Sequence, residues 1–362
     1  MSYAAYKMMH WPTGIQHCAS GFITHSRVGS ASHIASLPAD DLDSDWPSAA
    51  APREVGPVPN LVVGAANVLE VLHGNIESMA ALCIGGADGG RRRDSIILIF
   101  RDAKVSVLEF DDSIHGLRTS SMHCFEGPEW LHLKRGRESF ARGPFVKVDP
   151  QGRCAGVLVY GLQMIILKAA EAGGLVGDDN AFTTDGAISA RIESSYIISL
   201  RDLEMKHVKD FIFIHGYIEP VMVILHEQEL TWAGRVSWKH HTCMISALSI
   251  STTLKQHPLI WSATNLPHDA YKLLAVPSPI GGVLVIGANT IHYQSQSASC
   301  VLALLFLLIT DRTDGFDFSQ EMTRSSFSVE LDAANATWLS DDVAMLSAKT
   351  GELLLLTLVF DG

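Results

Sequence analysis

The chain has 362 residues, of which 47% are hydrophobic and 18% charged, and its formal net charge at pH 7 is -12. This apolar share excludes a globally disordered chain and is enough for a sizeable core. The negative charge excludes a protein whose main surface coats phosphates, so any nucleic-acid contact has to be a local patch or come through a partner.

The compartment is suggested by the cysteines and by the missing targeting signals. The six cysteines are scattered, and none forms a Cys-x-x-Cys pair. We expect reduced thiols in the core, as is usual in the cytosol or the nucleus. The N-terminal segment has no basic stretch followed by an apolar one, so we predict no signal peptide. The apolar run at residues 301–309 is well short of the roughly 20 residues of a membrane-spanning helix, so we expect a soluble intracellular protein.

Short apolar runs, paired across turns, recur along the chain and predict β-hairpins. The runs are rich in Val, Ile, Leu, Phe and Tyr, and Gly, Asn or Asp separates them. In chain order the predicted hairpins cover residues 61–71, 95–110, 156–167, 221–238, 282–293 and 343–359. In the fourth hairpin the second strand is predicted at residues 231–238.

The spacing of these hairpins predicts the architecture. From residue 96 onward they recur about every 60 residues, whereas the first interval is only about 35 residues, and regular recurrence of a sheet unit indicates a repeat protein. The spacing predicts a repetitive all-β protein with little helix, and four-stranded blades around a central axis, joined by long loops, would account for it. A β-sandwich is the structural alternative, although sandwiches rarely need so long a chain. No linker separates two domains, so residues 1–362 form one predicted domain.

Motifs for catalysis or cofactor binding are weak. The glycine-rich segment 85–90 lacks the Gly-Lys-Ser/Thr ending of a phosphate loop and favours a flexible connection. His240, His241 and Cys243 invite a metal interpretation, but adjacent strand residues point to opposite faces. The acidic pairs at residues 111–112 and 341–342 are typical of turns. We therefore predict no enzyme, no metal site and no cofactor.

One basic cluster with aromatic neighbours is the candidate contact site. It consists of Lys134, Arg135 and Arg137. Aromatic and histidine residues beside it could stack on bases, so the cluster is a candidate contact for RNA or a partner. In the alternative interpretation it is a solvated loop that pairs with neighbouring glutamates.

Longer stretches are similar to one known family. They are residues 1–14, 93–98, 107–115, 122–140, 148–154, 213–220 and 232–238. On these residues the chain resembles the N-terminal part of the large propeller subunits of the cleavage and polyadenylation specificity factor, in their plant form. Weaker features are shared with the large damaged-DNA-binding subunit and a spliceosomal propeller subunit, which remain alternative relatives.

The resemblance implies a fold and a function. It implies an all-β, WD40-like β-propeller, the first of three propellers in a non-catalytic scaffold subunit. The scaffold belongs to a nuclear complex that finds the polyadenylation signal in pre-mRNA and directs cleavage. The implied partners are a WD-repeat subunit and a zinc-finger subunit, while pre-mRNA is contacted mostly indirectly and no membrane is involved.

The chain also departs from the family pattern. After Val71 it passes directly to Leu72, where the relatives carry an extra stretch, so a blade strand is predicted to be missing near residues 71–72. Residues 304–309 are unusually apolar for a loop, and the chain ends at Gly362 directly after a hairpin. We therefore expect a truncated propeller with an exposed sheet edge, poorly soluble without a partner.

Overall fold

The described part of the chain is almost entirely β-structure. The computed structural model describes residues 17–23, 60–64, 76–83, 92–101, 103–125, 143–170, 188–230, 232–236, 239–303, 323–324 and 330–359. A single helix of four residues, α1 (Ala233–Val236), is present within these ranges. Among the described residues, no helix is long and apolar enough to cross a membrane.

The strands fall into two compact units. The first unit covers residues 1–146 and 169–194, and the second covers residues 147–168 and 195–362. The strands are β1 (His17–Gly21), β2 (Asn60–Gly64), β3 (Ile76–Leu82), β4 (Arg92–Arg93), β5 (Ser95–Phe100), β6 (Lys104–Asp111), β7 (Gly116–Cys124), β8 (Phe145–Val148), β9 (Cys154–Val159), β10 (Gln163–Ala169), β11 (Ile188–Ser189), β12 (Ile192–Ser199), β13 (Asp210–Ile214), β14 (Val221–Glu227), β15 (His241–Ser249), β16 (Leu259–Pro267), β17 (Lys272–Ala275), β18 (Val283–Ile286), β19 (Thr290–Gln294), β20 (Ser299–Ala303), β21 (Thr323–Arg324), β22 (Asn335–Trp338), β23 (Val343–Ser347) and β24 (Leu353–Thr357).

The first unit contains one four-stranded antiparallel sheet and two small strand pairs. The sheet has the order β3-β5-β6-β7, with β1 and β2 forming an antiparallel pair and β11 lying parallel to β4. Ile96, Leu98 and Phe100 of β5 pack with Ile76 and Met79 of β3 to form its core.

The second unit is a series of antiparallel sheets. Their orders are β8-β9-β10-β12, β13-β14-β15-β16, β17-β18-β19-β20-β21 and β22-β23-β24. Residues 145–146, 169 and 192–194 of the first of these sheets are counted in the first unit. β21 is the exception, since it pairs with β20 in parallel. In each sheet, sequential strands lie side by side, which is the meander of a propeller blade.

Neighbouring sheets of the second unit pack face to face. Val223 and Ile245 of the β13–β16 sheet share an apolar cluster with Leu273 and Val285 of the β17–β21 sheet. A further cluster joins the β17–β21 sheet to β23 through Leu346. The central strands are therefore covered on both faces, which explains why β9 and β14 are buried along their whole length.

Most predicted hairpins are confirmed, and their strands are central in these sheets except for the edge strand β24. β5 pairs with β6, β9 with β10, β18 with β19, and β23 with β24. The outer strands were missed because they have one face exposed and lack continuous apolar runs. β7 and β16 are examples, with exposed residues at many positions.

One predicted hairpin stays untested and another was wrong in detail. For the first hairpin, β2 pairs with β1, and the second predicted strand falls in residues 65–75, which lie outside the described residues. For the fourth, the partner of β14 is β15, which begins at His241. Residues 231–238 are not that strand, because α1 lies within them.

Close packing between two sheets of the second unit yields the first testable prediction. A Cβ atom at Gly156 of β9 would lie 2.9 Å from Cε2 of Phe211 and 3.2 Å from Cε2 of Phe213, both on β13. We expect Gly156→Ala to lower the free energy of unfolding by about 1–3 kcal/mol, because the added methyl overfills the contact. Urea denaturation followed by circular dichroism measures the change. The exposed Thr253→Ala serves as the control, and equal stability of the two variants would contradict the predicted contact.

Candidate functional site

The basic cluster predicted from the sequence lies in a connection between two sheets. Lys134, Arg135 and Arg137 come after the end of β7 at Cys124 and before the start of β8 at Phe145. These three residues are outside the described residues, as is the glycine-rich segment 85–90. The structure therefore gives their place in the chain order of the strands and no contacts.

The segment from His240 to Cys243 was considered as a metal site, and the structure places its two histidines differently from the prediction. His240 precedes the strand, His241 is its first residue, and Cys243 is fully buried two residues further on. The assumption that both histidines lie on one strand was wrong. In the part of the chain that the structure describes, no group of three or more His, Cys, Asp or Glu side chains could hold a metal ion.

Cys243 belongs to a small ionic cluster at one end of the β13–β16 sheet. Lys209 Nζ lies 2.9 Å from Glu227 Oε1 and 3.2 Å from Cys243 Sγ. The thiol lies 3.2 Å from the same carboxylate oxygen and donates to it. Burial raises the pKa of Cys243 to about 12, so the sulfur stays protonated at neutral pH. A protonated buried thiol is a poor nucleophile, and the cluster is structural.

A second buried ion pair fixes the opposite end of the same sheet. Arg153 donates through Nε and Nη2 to both carboxylate oxygens of Asp149, at 2.8 and 2.9 Å. Its third nitrogen, Nη1, donates to the carbonyl oxygens of Tyr217 and Ile218 in the β13–β14 turn. Ile218 is thereby held with its side chain 100% exposed.

In the first unit, Arg93 has a structural role that the sequence did not indicate. Arg93 belongs to β4 and is buried. Its guanidinium lies 2.8 Å from a carboxylate oxygen of Asp112 and 5.7 Å from the ring centre of Phe110. Asp111 accepts hydrogen bonds from Ser113, as expected of a turn residue.

Trp232 is an exposed aromatic side chain in the connection between β14 and β15. We name this connection, residues 228–240, the tryptophan loop. Trp232 is 63% exposed and Leu230 is 65% exposed. Lys239 and His240 at its end are exposed as well. Sequence analysis missed this surface because it assigned Trp232 to a strand. The absence of alternating polar and apolar residues around Ala233 and Gly234 is the signal that could have revealed a loop.

Buried histidines are a further feature of the second unit. His226 Nε2 lies 2.9 Å from Ser246 Oγ, and His292 Nε2 lies 3.2 Å from Thr290 Oγ1. Burial lowers the pKa of both histidines to about 4. Both imidazoles are therefore neutral in the folded protein at neutral pH.

The meander sheets and their shared apolar clusters define a protein of the β-propeller class. The family model that matches the chain is the RSE1/DDB1/CPSF1 first beta-propeller, and it covers residues 66–362. The chain belongs to this family. The predicted fold class, an all-β first propeller, is confirmed.

The relatives agree with the resemblance noted in the sequence. Over its whole length the chain is 63% identical to the cleavage and polyadenylation specificity factor subunit 1 of Arabidopsis thaliana. It is 58% identical, again over its whole length, to the probable subunit 1 of Oryza sativa subsp. japonica. Over 80% of the chain it is 33% identical to the subunit 1 of Drosophila melanogaster. The chain spans 28% of the length of the two plant proteins and 20% of the fly protein.

The buried histidines predict a specific loss of stability in acid. An unfolded histidine takes up a proton near pH 6.5, whereas the folded protein holds His226 and His292 neutral down to about pH 4. The unfolded state then binds more protons, so stability is full above about pH 6.5 and falls as the pH drops towards 4. We expect each histidine to account for a loss of about 1–2 kcal/mol between pH 7.5 and pH 5.

Urea titrations at the two pH values measure this loss. The double variant His226→Gln, His292→Gln is expected to lose less stability on acidification than the original chain, because glutamine does not titrate. The exposed His240→Gln is the control and should follow the original chain. The same acid sensitivity in the double variant would refute the assignment to these two side chains.

Proposed function

We propose that the chain is the first-propeller part of a non-catalytic scaffold subunit that acts in pre-mRNA 3′-end processing in the nucleus. The observation that carries this proposal is the 63% identity, over the whole chain, to a cleavage and polyadenylation specificity factor subunit 1. The rice and fly relatives named above carry the same subunit name, which favours this assignment over a damaged-DNA-binding or spliceosomal relative.

The chemistry of the described residues is consistent with a scaffold. The ionic groups at the ends of the β13–β16 sheet are used in contacts within the fold. Cys243 is protonated and buried, and Arg153 is engaged with Asp149 and with the carbonyl oxygens of the β13–β14 turn. Exposed connections such as the tryptophan loop are the places where partners could bind. The proposed partners are a WD-repeat subunit and a zinc-finger subunit of the same complex.

Co-purification tests the scaffold proposal. The tagged chain is co-expressed with the WD-repeat and zinc-finger subunits, and the Arabidopsis relative serves as the positive control. We expect at least one subunit to be retained by the chain at a salt concentration at which a tagged unrelated propeller retains none. If the Arabidopsis relative retains both subunits and the chain retains neither, the proposal is wrong for this part of the protein.

We also propose that Lys134, Arg135 and Arg137 contact RNA directly. They place three cations within four positions of a chain of net charge -12, so they are a natural attachment point for phosphates. Aromatic residues close to the cluster in the sequence could stack on unpaired bases. This contact would supplement an attachment to pre-mRNA that is otherwise indirect.

Salt dependence distinguishes this contact from nonspecific charge effects. Replacing all three residues with Ala should weaken binding of a single-stranded RNA and reduce the slope of log affinity against log salt by about 2, since each lost phosphate contact contributes about 0.7. Arg201, Lys206 and Lys349 are exposed, and their triple replacement with Ala is the charge-matched control. Equal slopes for the two triple variants would contradict a special role for the cluster.

For the domain organisation, we propose that the chain lacks a blade strand near Val71 and Leu72. The alignment to the Arabidopsis relative extends over 405 positions, more than the 362 residues of the chain. The relative therefore contains residues within the aligned part that have no counterpart here. The short first hairpin interval is the reason for placing this difference near residue 71.

A further inference from the structure

Three turns of the second unit lie close together at one end of its sheets. They are the β13–β14 turn (residues 215–220), the β17–β18 turn (276–282) and the β22–β23 turn (339–342). A Cβ atom built on Gly281 would lie 3.9 Å from the carbonyl oxygen of His215, so the first two turns are neighbours. Burial lowers the pKa of His215, and the carboxylates of Asp149 and Asp341 oppose that shift, so the third turn is close as well. We name these three turns the acidic turn surface.

Ile218, in the β13–β14 turn, is exposed although its backbone is fixed. Its side chain is 100% exposed. Arg153 Nη1 donates to the carbonyl oxygens of Tyr217 and Ile218. Trp261 Nε1 donates to the hydroxyl oxygen of Tyr217 at 3.3 Å. A turn that is already ordered loses little conformational freedom when a partner binds, so burial of the isoleucine would contribute its hydrophobic free energy almost in full.

The exposed side chains that accompany Ile218 on this surface are aliphatic or acidic. Leu339, in the β22–β23 turn, is 59% exposed. Glu219, Asp341 and Asp342 are exposed, whereas the sequences of the three turns contain no lysine and no arginine. The acidic turn surface therefore combines aliphatic side chains with carboxylates.

Arg153 and His215 do not neutralise these carboxylates. Arg153 donates to both carboxylate oxygens of Asp149, at 2.8 and 2.9 Å, so its charge is already balanced. His215 is half-buried, and burial lowers its pKa, so its imidazole is neutral at neutral pH. A ligand of this surface has to supply the positive charge itself.

We propose that the acidic turn surface is a docking site for a protein segment that carries aliphatic side chains flanked by lysine or arginine. The aliphatic side chains of the segment pack around Ile218, and its cations lie against Glu219 and Asp341. The site rests on the proposed scaffold function and assigns the chemistry of a partner segment to it.

Other occupants fit the charge of this surface less well. A nucleic acid would bring its phosphates against exposed carboxylates. A second copy of the chain, bound about a two-fold axis, would place the same acidic turns against each other, and like charges in such a contact repel. A basic and aliphatic protein segment complements both the carboxylates and the exposed Ile218.

Peptide binding to the whole chain, measured by fluorescence anisotropy, tests the site. The probes are short fluorescein-labelled peptides that together cover the sequences of the WD-repeat and zinc-finger subunits. We expect binding by peptides in which aliphatic residues are flanked by Lys or Arg. Ile218→Ser should weaken this binding about 10- to 100-fold, the loss expected when a buried aliphatic side chain is removed. Leu353→Ser is the matched control, since Leu353 is 65% exposed at the other end of the β22–β24 sheet.

Neutralising the carboxylates tests the contribution of charge. The double variant Glu219→Gln, Asp341→Asn should weaken peptide binding about 3- to 10-fold at low salt and less at high salt, because salt screens exposed charges. Glutamine can still accept the hydrogen bond that Ser249 Oγ donates to Glu219 at 2.8 Å. The control is Asp332→Asn, Glu352→Gln, in which both residues are exposed and Glu352 also accepts from a neighbouring hydroxyl. Equal losses in the two double variants would contradict a local contact.

A pair of glycine variants tests whether the position of Ile218 matters as well as its presence. Gly216 and Gly351 have φ angles of +91° and +90°, and a Cβ atom at either position would meet nothing within 4 Å. Alanine is strained at these angles, so both variants should lose a similar amount of stability. Gly216→Ala alters the turn that carries Ile218 and should weaken peptide binding about 2- to 10-fold, because the turn is no longer ordered in advance. Gly351→Ala, in the β23–β24 turn, should bind like the original chain.

The docking site and the scaffold proposal can fail separately. If no peptide binds, or if Ile218→Ser binds like the original chain, the docking site is wrong whether or not the subunits co-purify. If basic aliphatic peptides bind through Ile218 but neither folded subunit is retained, the docking site stands and the scaffold proposal is wrong. If Ile218→Ser loses only binding of oligouridine RNA, or only self-association in sedimentation velocity, the occupant is a nucleic acid or a second copy, and the proposal is wrong.

Discussion

Burial of the central strands on both faces is the constraint on which the second unit depends. Adjacent sheets pack face to face, so the strands in the middle of each sheet have no solvent-facing side. β9 and β14 are therefore buried at every position, and Gly156 is needed where the ring of Phe211 comes closest. Each apolar strand removed from water in this way contributes to stability in proportion to its buried area.

Several buried charged groups lie at the ends of the strands, where they are paired. Buried Asp210 accepts from its neighbour Phe211 and, with its other oxygen, from the amide of Leu273 on the next sheet at 2.8 Å. Asp149 and Arg153 act in the same way towards the β13–β14 turn. Removing one member of such a pair would leave an uncompensated buried charge, which costs far more than the pair contributes to stability. The ends of the sheets are thus fixed by specific contacts, and the connections begin from defined positions.

The same constraint determines which strands can be predicted from the sequence. Strands buried on both faces have continuous apolar runs, so β5, β6, β9, β10 and β18 were found from the sequence. Strands with one exposed face, such as β7, have a weaker pattern and were missed.

The errors at the site have a physical reason too. The segment containing Trp232 is apolar enough to resemble a strand, but Gly234 accommodates the tryptophan ring within one helical turn. That is a local contact between side chain and backbone, which hydrophobic periodicity does not report. The pairing of Arg93 with Asp112 was missed for a similar reason, because it depends on tertiary contact between β4 and the end of β6.

The division between apolar sheets and polar connections also determines where function can reside. A substitution within the central strands changes stability, because the side chains there contact only other parts of the fold. The connections between strands are free to carry different chemistry on the same scaffold. Residues 134–137 place three cations within four positions, whereas the connection at residues 228–240 carries an exposed indole and few charges. Cationic side chains bind nucleic acids with release of counterions, whereas stacking on an aromatic ring releases none. Connections of one scaffold that differ in this way would therefore differ in how their contacts respond to salt.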